Sequence, residues 1–320
     1  MFSNSFEQYI LEKCEVLNNI ESYMDFPTTL SKLAFDQKFC DFFGGIPIME
    51  RHIKLENLGE YVYQNDVGGY RSELLKSLRY IEQTGQLDNV DKLINDHCKW
   101  LFTTLNDVIA FKNPESAYDL LNQYEINYKN FELLVQQKDK NGIILMGVYK
   151  NHIGFLIPKL IEHNEIYIIR KPNTELSKSP LIGCFYNKVN LIDADQNGGK
   201  KLFYALKNKK IVGLYSDFLY PESRAQKGFL FGKPVNFSET LVRLIKATKS
   251  TIIPFSITKH SKNNKIVITI EFHDIIKDIQ SETSSIENLF IKMNISTELL
   301  VRNKPEQWRL WNTLQLRWYE

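Results

Sequence analysis

The stretch GIILMGVYKNHIGFLIPKL, residues 142–160, decides how the second half of this chain is read. Ile143 to Val148 is an apolar run of strand length. A short polar loop follows and presents His152, with Gly154 two residues later. The apolar sequence then resumes as FLIPKLIEH, which reads as a helix with Pro158 in its first turn, where a missing N–H is tolerated.

Strand, loop and helix alternate again downstream. EIYIIRK, VNLID and KIVGLYSD read as strands, and ELSKSPLIGCFYNK, GGKKLFYALKNK and SETLVRLIKATK read as helices. GGKKLFYALKNK ends in basic residues, which the helix dipole favours. SETLVRLIKATK opens at Ser238 with Glu239 in its first turn. TIIPFSIT and KIVITIEF are strands, and SIENLFIKMNISTELLVRN and PEQWRLWNTLQLRW are helical. This alternation predicts an α/β fold with a mixed, largely parallel sheet flanked by helices. KDKNG and KHSKNNK read as charged turns.

Upstream, residues 1 to about 130 read as mostly helical. FEQYILEKCEVL repeats apolar residues at helical spacing, and SELLKSLRYIEQTG does so with Gly85 at its C-cap. NVDKLINDHCKWLFTTLNDVIAF is a long amphipathic helix. Between the first two lies FFGGIPIMERHIKLENLGEYVYQNDVGGY, read as irregular because Gly44-Gly45 and Gly68-Gly69 mark turns. The expected organisation is an N-terminal helical extension, 1–87, and an α/β domain, 88–320.

With 43% hydrophobic residues, the 320-residue chain can bury a sizeable core. Its formal charge of +2 implies no global polyanion surface, so nucleic acid is not an expected partner. Cys14, Cys40, Cys98 and Cys184 form no CxxC pair and are expected as free thiols. The other histidines, His52, His97, His163, His260 and His273, have no ligand-like spacing. In DHC, 96–98, adjacent helical residues point apart, which argues against a metal site. QNGGK, 196–200, lacks the phosphate-loop frame. The first 19 residues carry charges that break any signal-peptide core. No window offers the roughly 20 apolar residues of a membrane span. A cytoplasmic protein is expected, with peripheral contact at the inner membrane as the furthest membrane involvement.

The order of five segments resembles the lipid A biosynthesis acyltransferase family. GIILMGVYKNHIG resembles the strand leading into a His-x-Gly-Asn-Trp-Glu type motif, and EIYIIRKPNTELSKSPL the next strand and its Arg-Pro segment. GGKKLFYALKNKKIVGLYSDFLYPES resembles the part ending in an Asp-Gln-Asp-like loop. GFLFGKPVNFSETLVRLIKATKSTIIPF resembles the Phe-Phe-Gly segment with its helix and strand, and KPEQWRLWNTLQLRW the closing Pro-Glu-Gln-Trp segment. The similarity runs from about residue 88 to 318. It implies acyl transfer from a thioester, on acyl carrier protein or coenzyme A, to a hydroxyl on a lipid or sugar. Because residues 1–87 read as polar-amphipathic helices where membrane members of the family carry a hydrophobic anchor helix, the acceptor expected here is a hydroxyl or amine on a small molecule or a carrier, in lipid or specialised-metabolite biosynthesis. No bound cofactor and no metal are implied. His152 would be the general base.

The sequence departs from that pattern where the chemistry is concentrated. His152 and Gly154 match, but Phe155, Leu156 and Ile157 replace Asn, Trp and the orienting acid. Asp217 matches the first acid of the later loop and is the first candidate to replace the missing carboxylate. Its bland alternative is a loop cap. Arg170 and Arg224 would hold a phosphate or an anionic acceptor, or are simply solvated. Gly154, Phe231 and Gly232 are candidates for substrate binding, with Gly232 serving chain reversal first. Three readings of His152 stay open: a base oriented by another group, a relic in a protein that binds acyl chains or a carrier protein, and a structural histidine. Thioester hydrolysis by His152 and water is a further alternative.

Overall fold

The computed structural model describes Leu17 and residues 25–34, 36–111, 114–151, 153–170, 188–195, 197–217, 225–276 and 286–314. The chain divides into two compact units. One comprises residues 1–109 with 305–317, and the other 110–304 with 318–320.

The described part of the first unit is helical: α1 Phe26–Leu33, α2 Gln37–Gly44, α3 Ile48–Gln64, α4 Tyr70–Gln83 and most of α5 Val90–Ala110. The Asp36 side chain caps α2 by accepting from the Phe39 N–H at 3.0 Å. Gly85, at φ 68°, ends α4 in a Schellman turn. Its N–H reaches Glu82 O, and the Gln86 N–H reaches Ile81 O. α3 corrects the irregular reading of this region. Ile48, Leu55, Leu58 and Val62 line one buried face at helical spacing, and the glycine pairs flank the helix without interrupting it. Gly59 inside it allows a close crossing with α5, since a Cβ there would sit 2.5 Å from the Lys99 Cα. The DHC triplet of α5 points three ways: Asp96 pairs with Lys92, His97 turns to Tyr70, and Cys98 is buried. Cys40 and Cys98 are free thiols; Cys14 and Cys184 lie outside the described residues.

The closing segment, expected as a helix, instead forms two 3-10 turns, Pro305–Gln307 and Trp311–Thr313. The Trp311 indole donates to Pro305 O at 2.7 Å, and Trp308 packs edge-on against it, centroids 4.7 Å apart.

The second unit begins with α6 Pro114–Gln123, β1 Glu125–Lys129, α7 Glu132–Gln137 and β2 Ile143–Gly147. It continues through α8 Ile157–Ile161, β3 Ile166–Arg170, β4 Asn190–Asp193, α9 Gly198–Lys207 and β5 Ile211–Tyr215. Then come β6 Ala225–Leu230, β7 Lys233–Ser238, α10 Glu239–Thr248, β8 Thr251–Lys262, β9 Lys265–Phe272 and α11 Ile286–Arg302. Seven described strands make one sheet in the order β1-β9-β8-β2-β5-β3-β4. Every neighbouring pair is parallel except β8–β9, a hairpin turned by Asn263 and Asn264 at positive φ. The fold is therefore α/β with a mixed, largely parallel sheet. β6 and β7 form a separate antiparallel ribbon.

β2 is buried at every position, as a central parallel strand covered on both faces must be. β1 is a strand within a region expected to be helical. Ile126 and Tyr128 are its half-buried positions and its other residues are exposed, so only pairing with β9 marks it as a strand. The expected helix over 175–188 lies almost wholly outside the described residues.

Candidate functional site

The sheet changes direction at β2. The chain leaves β2 for β3, passing over β5, and later leaves β5 for β8, passing over β2. The carboxyl ends of β2 and β5 therefore lie side by side, Gly147 opposite Tyr215. This is where open α/β sheets hold ligands.

The loop leaving β2 is fixed residue by residue. The Tyr149 N–H donates to Asp217 Oδ2 at 2.8 Å, and the Tyr149 ring lies 5.3 Å from that of Tyr215. Lys150 is buried and its ammonium donates to the main-chain carbonyls of Val301, at 3.2 Å, and Asn303. Those carbonyls close α11, where a cation is favoured. Asn151 is buried too, and its amide donates to Ile257 O on β8 at 2.9 Å. Three consecutive residues thus bind to three different elements immediately before position 152. Beyond it, Ile153–Phe155 forms a buried 3-10 turn that contains Gly154. Ile157, the position of the expected acid, is 0% exposed and begins α8 within the core.

Asp217 is 2% exposed at the end of β5. Its neighbour Ser216 returns to β2: the Ser216 N–H and hydroxyl both donate to Gly147 O, at 2.9 and 3.2 Å. The Ser216 hydroxyl also meets Thr297 Oγ1 of α11 at 2.7 Å. Gly147 leaves room for the Phe255 ring, whose nearest carbons would lie 2.9 Å from a Cβ there. Beside these hydroxyls is a small, mostly apolar pocket lined by Tyr215, Ser216, Phe237, Val242, Phe290 and Met293, among others.

On the β8–β9 side of the loop, His273 Nε2 lies 3.2 Å from Ser256 Oγ, and the Asn303 amide approaches the same hydroxyl at 3.5 Å. Burial holds the His273 imidazole below its ordinary range, and the Lys150 charge adds to this, against the opposing pull of Glu271 and Asp274.

Phe231 and Gly232 form the two-residue turn of the β6–β7 ribbon, at φ 52° and 74°. A buried phenylalanine with positive φ is unusual and must be held by its surroundings. α11 does this along one row. Asn294 accepts from the Phe229 N–H at 2.9 Å and donates to Phe229 O at 2.5 Å. Glu298 accepts from the Phe231 N–H at 3.0 Å, and the Arg302 guanidinium stacks 4.9 Å from the Phe231 ring. Gly228 is required for this docking, because a Cβ would run into Asn294 Oδ1.

His152 and Arg224 lie outside the described residues, and so does the side chain of Arg170, the last residue of β3. Tyr149, Lys150, Asn151 and Ser216 were not singled out by sequence. The available signal was polar residues placed at the ends of two apolar strands.

A model of the family described as bacterial lipid A biosynthesis acyltransferase matches residues 127–319. No curated protein matches the chain. Among solved structures, the crystal structure of the 1-acyl-sn-glycerophosphate (LPA) acyltransferase PlsC from Thermotoga maritima is similar at 15% identity and a TM-score of 0.38. That similarity covers 80% of this chain and 97% of that one.

Proposed function

Because the chain belongs to the bacterial lipid A biosynthesis acyltransferase family, we propose that it moves an acyl group from a thioester, carried on acyl carrier protein or coenzyme A, to a hydroxyl or amine acceptor. The observation that carries this reading is the construction of the β2 loop. Its backbone is bonded to a buried carboxylate, Asp217, and the residues on either side of position 152 are buried at the carboxyl ends of the central strands, where ligands are expected.

In the proposed reaction His152 takes the acceptor proton as the oxygen or nitrogen attacks the thioester carbonyl. The new C–O or C–N bond gives a tetrahedral oxyanion. Its collapse breaks the C–S bond, and the departing thiolate takes the proton back from His152. Asp217 serves as a positioning residue acting through the Tyr149 N–H, in place of an acid at position 157. Arg170 and Arg224 are proposed to receive the anionic part of the donor or acceptor, and Gly154 to keep the turn after His152 compact.

A second reading has one observation in its favour. Ile157 is part of the core, so the family's orienting acid is absent, which suits a protein that binds acyl chains or a carrier protein without turnover. Mass spectrometry of acyl-carrier-protein and acyl-coenzyme A donors, incubated with wild type and His152→Ala, separates the readings. Donor loss that requires both His152 and an acceptor extract supports transfer, and loss without extract points to hydrolysis. Carrier binding without donor loss, equal in both proteins, would leave only the binding reading.

A further inference from the structure

β1 is an edge of the seven-stranded sheet: it pairs with β9 on one side, and no described strand pairs with the other. An unpaired edge offers its outward N–H and C=O groups to any strand that reaches it, and proteins guard such edges with proline or with charges that repel a second copy. β1, Glu125–Lys129, has no proline, and its two charges are of opposite sign. Glu125, Asn127 and Lys129 are exposed and share one face of the strand, and the half-buried Ile126 and Tyr128 share the other.

The order Glu-Ile-Asn-Tyr-Lys is self-complementary. Laid antiparallel against itself with Asn127 on a two-fold axis, it sets Glu125 opposite Lys129 at both ends, Ile126 opposite Tyr128 twice, and Asn127 opposite its own copy. The register that pairs all five residues is thus the one that pairs both charges. The Asn127 amide donates to Glu125 Oε1 at 2.9 Å and holds that carboxylate along the strand. Lys129 meets Glu271 of β9 at 3.9 Å with 58% of its side chain exposed, so its ammonium keeps donors for a second carboxylate.

We propose that β1 is the contact edge of a symmetric homodimer, in which two copies of the sheet join through antiparallel β1 strands. Alternate residues would exchange both main-chain hydrogen bonds, which satisfies the groups the edge leaves open. β1 runs opposite to β2, because the chain reverses at the β8–β9 hairpin. The two-fold axis therefore points the carboxyl ends of β2 in the two copies in opposite directions. Five residues from each copy make a short interface, so a dimer that dissociates on dilution is expected. The inference does not depend on acyl transfer, because it concerns association alone.

The test is sedimentation velocity of the full chain over a concentration series, joined to oxidative cross-linking. Wild type is expected to pass from monomer to dimer as its concentration rises. Glu125→Lys sets lysine against lysine twice and should weaken dimerisation at least about tenfold. Adding Lys129→Glu restores opposite charges in the same register and should recover most of that loss. Asn127→Cys brings two thiols together on the axis, where opposed Cα atoms lie about 4.5–5.5 Å apart, within disulfide reach. Mild oxidation should link this variant through position 127, as read by non-reducing electrophoresis and peptide mass spectrometry. Glu125→Cys should not link, since its copy stands roughly 13 Å away along the strand. All three positions are exposed, so melting curves close to wild type are expected and would show the fold intact. The proposal is overturned if wild type stays monomeric throughout the series or forms open-ended aggregates. It is also overturned if Glu125→Lys dimerises like wild type, if the charge swap recovers nothing, or if Asn127→Cys links no better than Glu125→Cys.

Discussion

The carboxylate of Asp217 accepts a 2.8 Å hydrogen bond from the main-chain N–H of Tyr149, so the end of β5 holds the loop that leaves β2. The bond ties together the two strand ends at which the sheet changes direction. Asp217→Ala would leave a buried N–H without this acceptor, at a cost of about 1–3 kcal/mol. Asp217→Asn keeps a carbonyl oxygen in place and should lose less. In the proposed reaction both variants lower donor turnover, alanine more than asparagine. Thermal unfolding and turnover measured in parallel check the order, and equal turnover in all three proteins would remove Asp217 from the site.

Lys150 closes α11 from the side of the β2 loop. Lys150→Met keeps the apolar stem and removes the ammonium, leaving the buried Val301 carbonyl without this donor. The expected loss is about 1–3 kcal/mol. Hydrogen exchange should quicken in the loop around 148–156 and in the last turn of α11 together, since one side chain joins them. Quickening in only one of the two would mean that Lys150 does not couple them.

His97 is fully buried between Tyr70, whose hydroxyl lies 3.0 Å from Nε2, and Glu306 O, which accepts from Nδ1 at 2.8 Å. Burial lowers its pKa from the usual 6.5 to about 4, against the opposing effect of the Glu306 carbonyl. Between those values the unfolded chain binds a proton that the folded protein refuses. This contribution is therefore present above about pH 6.5 and is lost as the pH falls toward 4, up to ~3 kcal/mol. Urea midpoints at pH 7, 6 and 5 should fall more steeply for wild type than for His97→Gln. Parallel slopes would contradict the burial of a neutral imidazole.

Phe231 sets two effects against each other. Its positive φ costs on the order of 1 kcal/mol, which Phe231→Gly would recover. The same substitution removes a fully buried ring stacked under Arg302, typically about 3–5 kcal/mol. The net expectation is destabilisation by roughly 2–4 kcal/mol, because ring burial outweighs backbone strain. A stabilised Phe231→Gly variant in chemical denaturation would reverse that ranking.

Much of the fold was legible because its pattern is local. The apolar runs at 143–148, 211–215 and 251–257 carry their strand identity in their own composition, and Ser238 and Gly85 mark helix ends. The misreadings have physical causes. Glycine pairs at 44–45 and 68–69 drew attention from the regular apolar spacing of α3 between them. β1 is short and polar, and becomes a strand through pairing with the distant β9. The Pro-Glu-Gln-Trp segment has helical composition, yet it forms two 3-10 turns, with the Trp311 indole bonded back to Pro305 O.

The candidate site divides in the same way. Residue identity and spacing alone carry the α/β class, the family resemblance, the polar loop after β2 and the loss of the motif acid to Ile157. Three relationships emerge only on folding: Asp217 reaches the Tyr149 N–H, Lys150 closes α11, and Asn294, Glu298 and Arg302 hold a phenylalanine at positive φ. Those contacts join residues far apart in the chain. Their strength comes from burial and from directional hydrogen bonds, neither of which exists until the sheet has assembled.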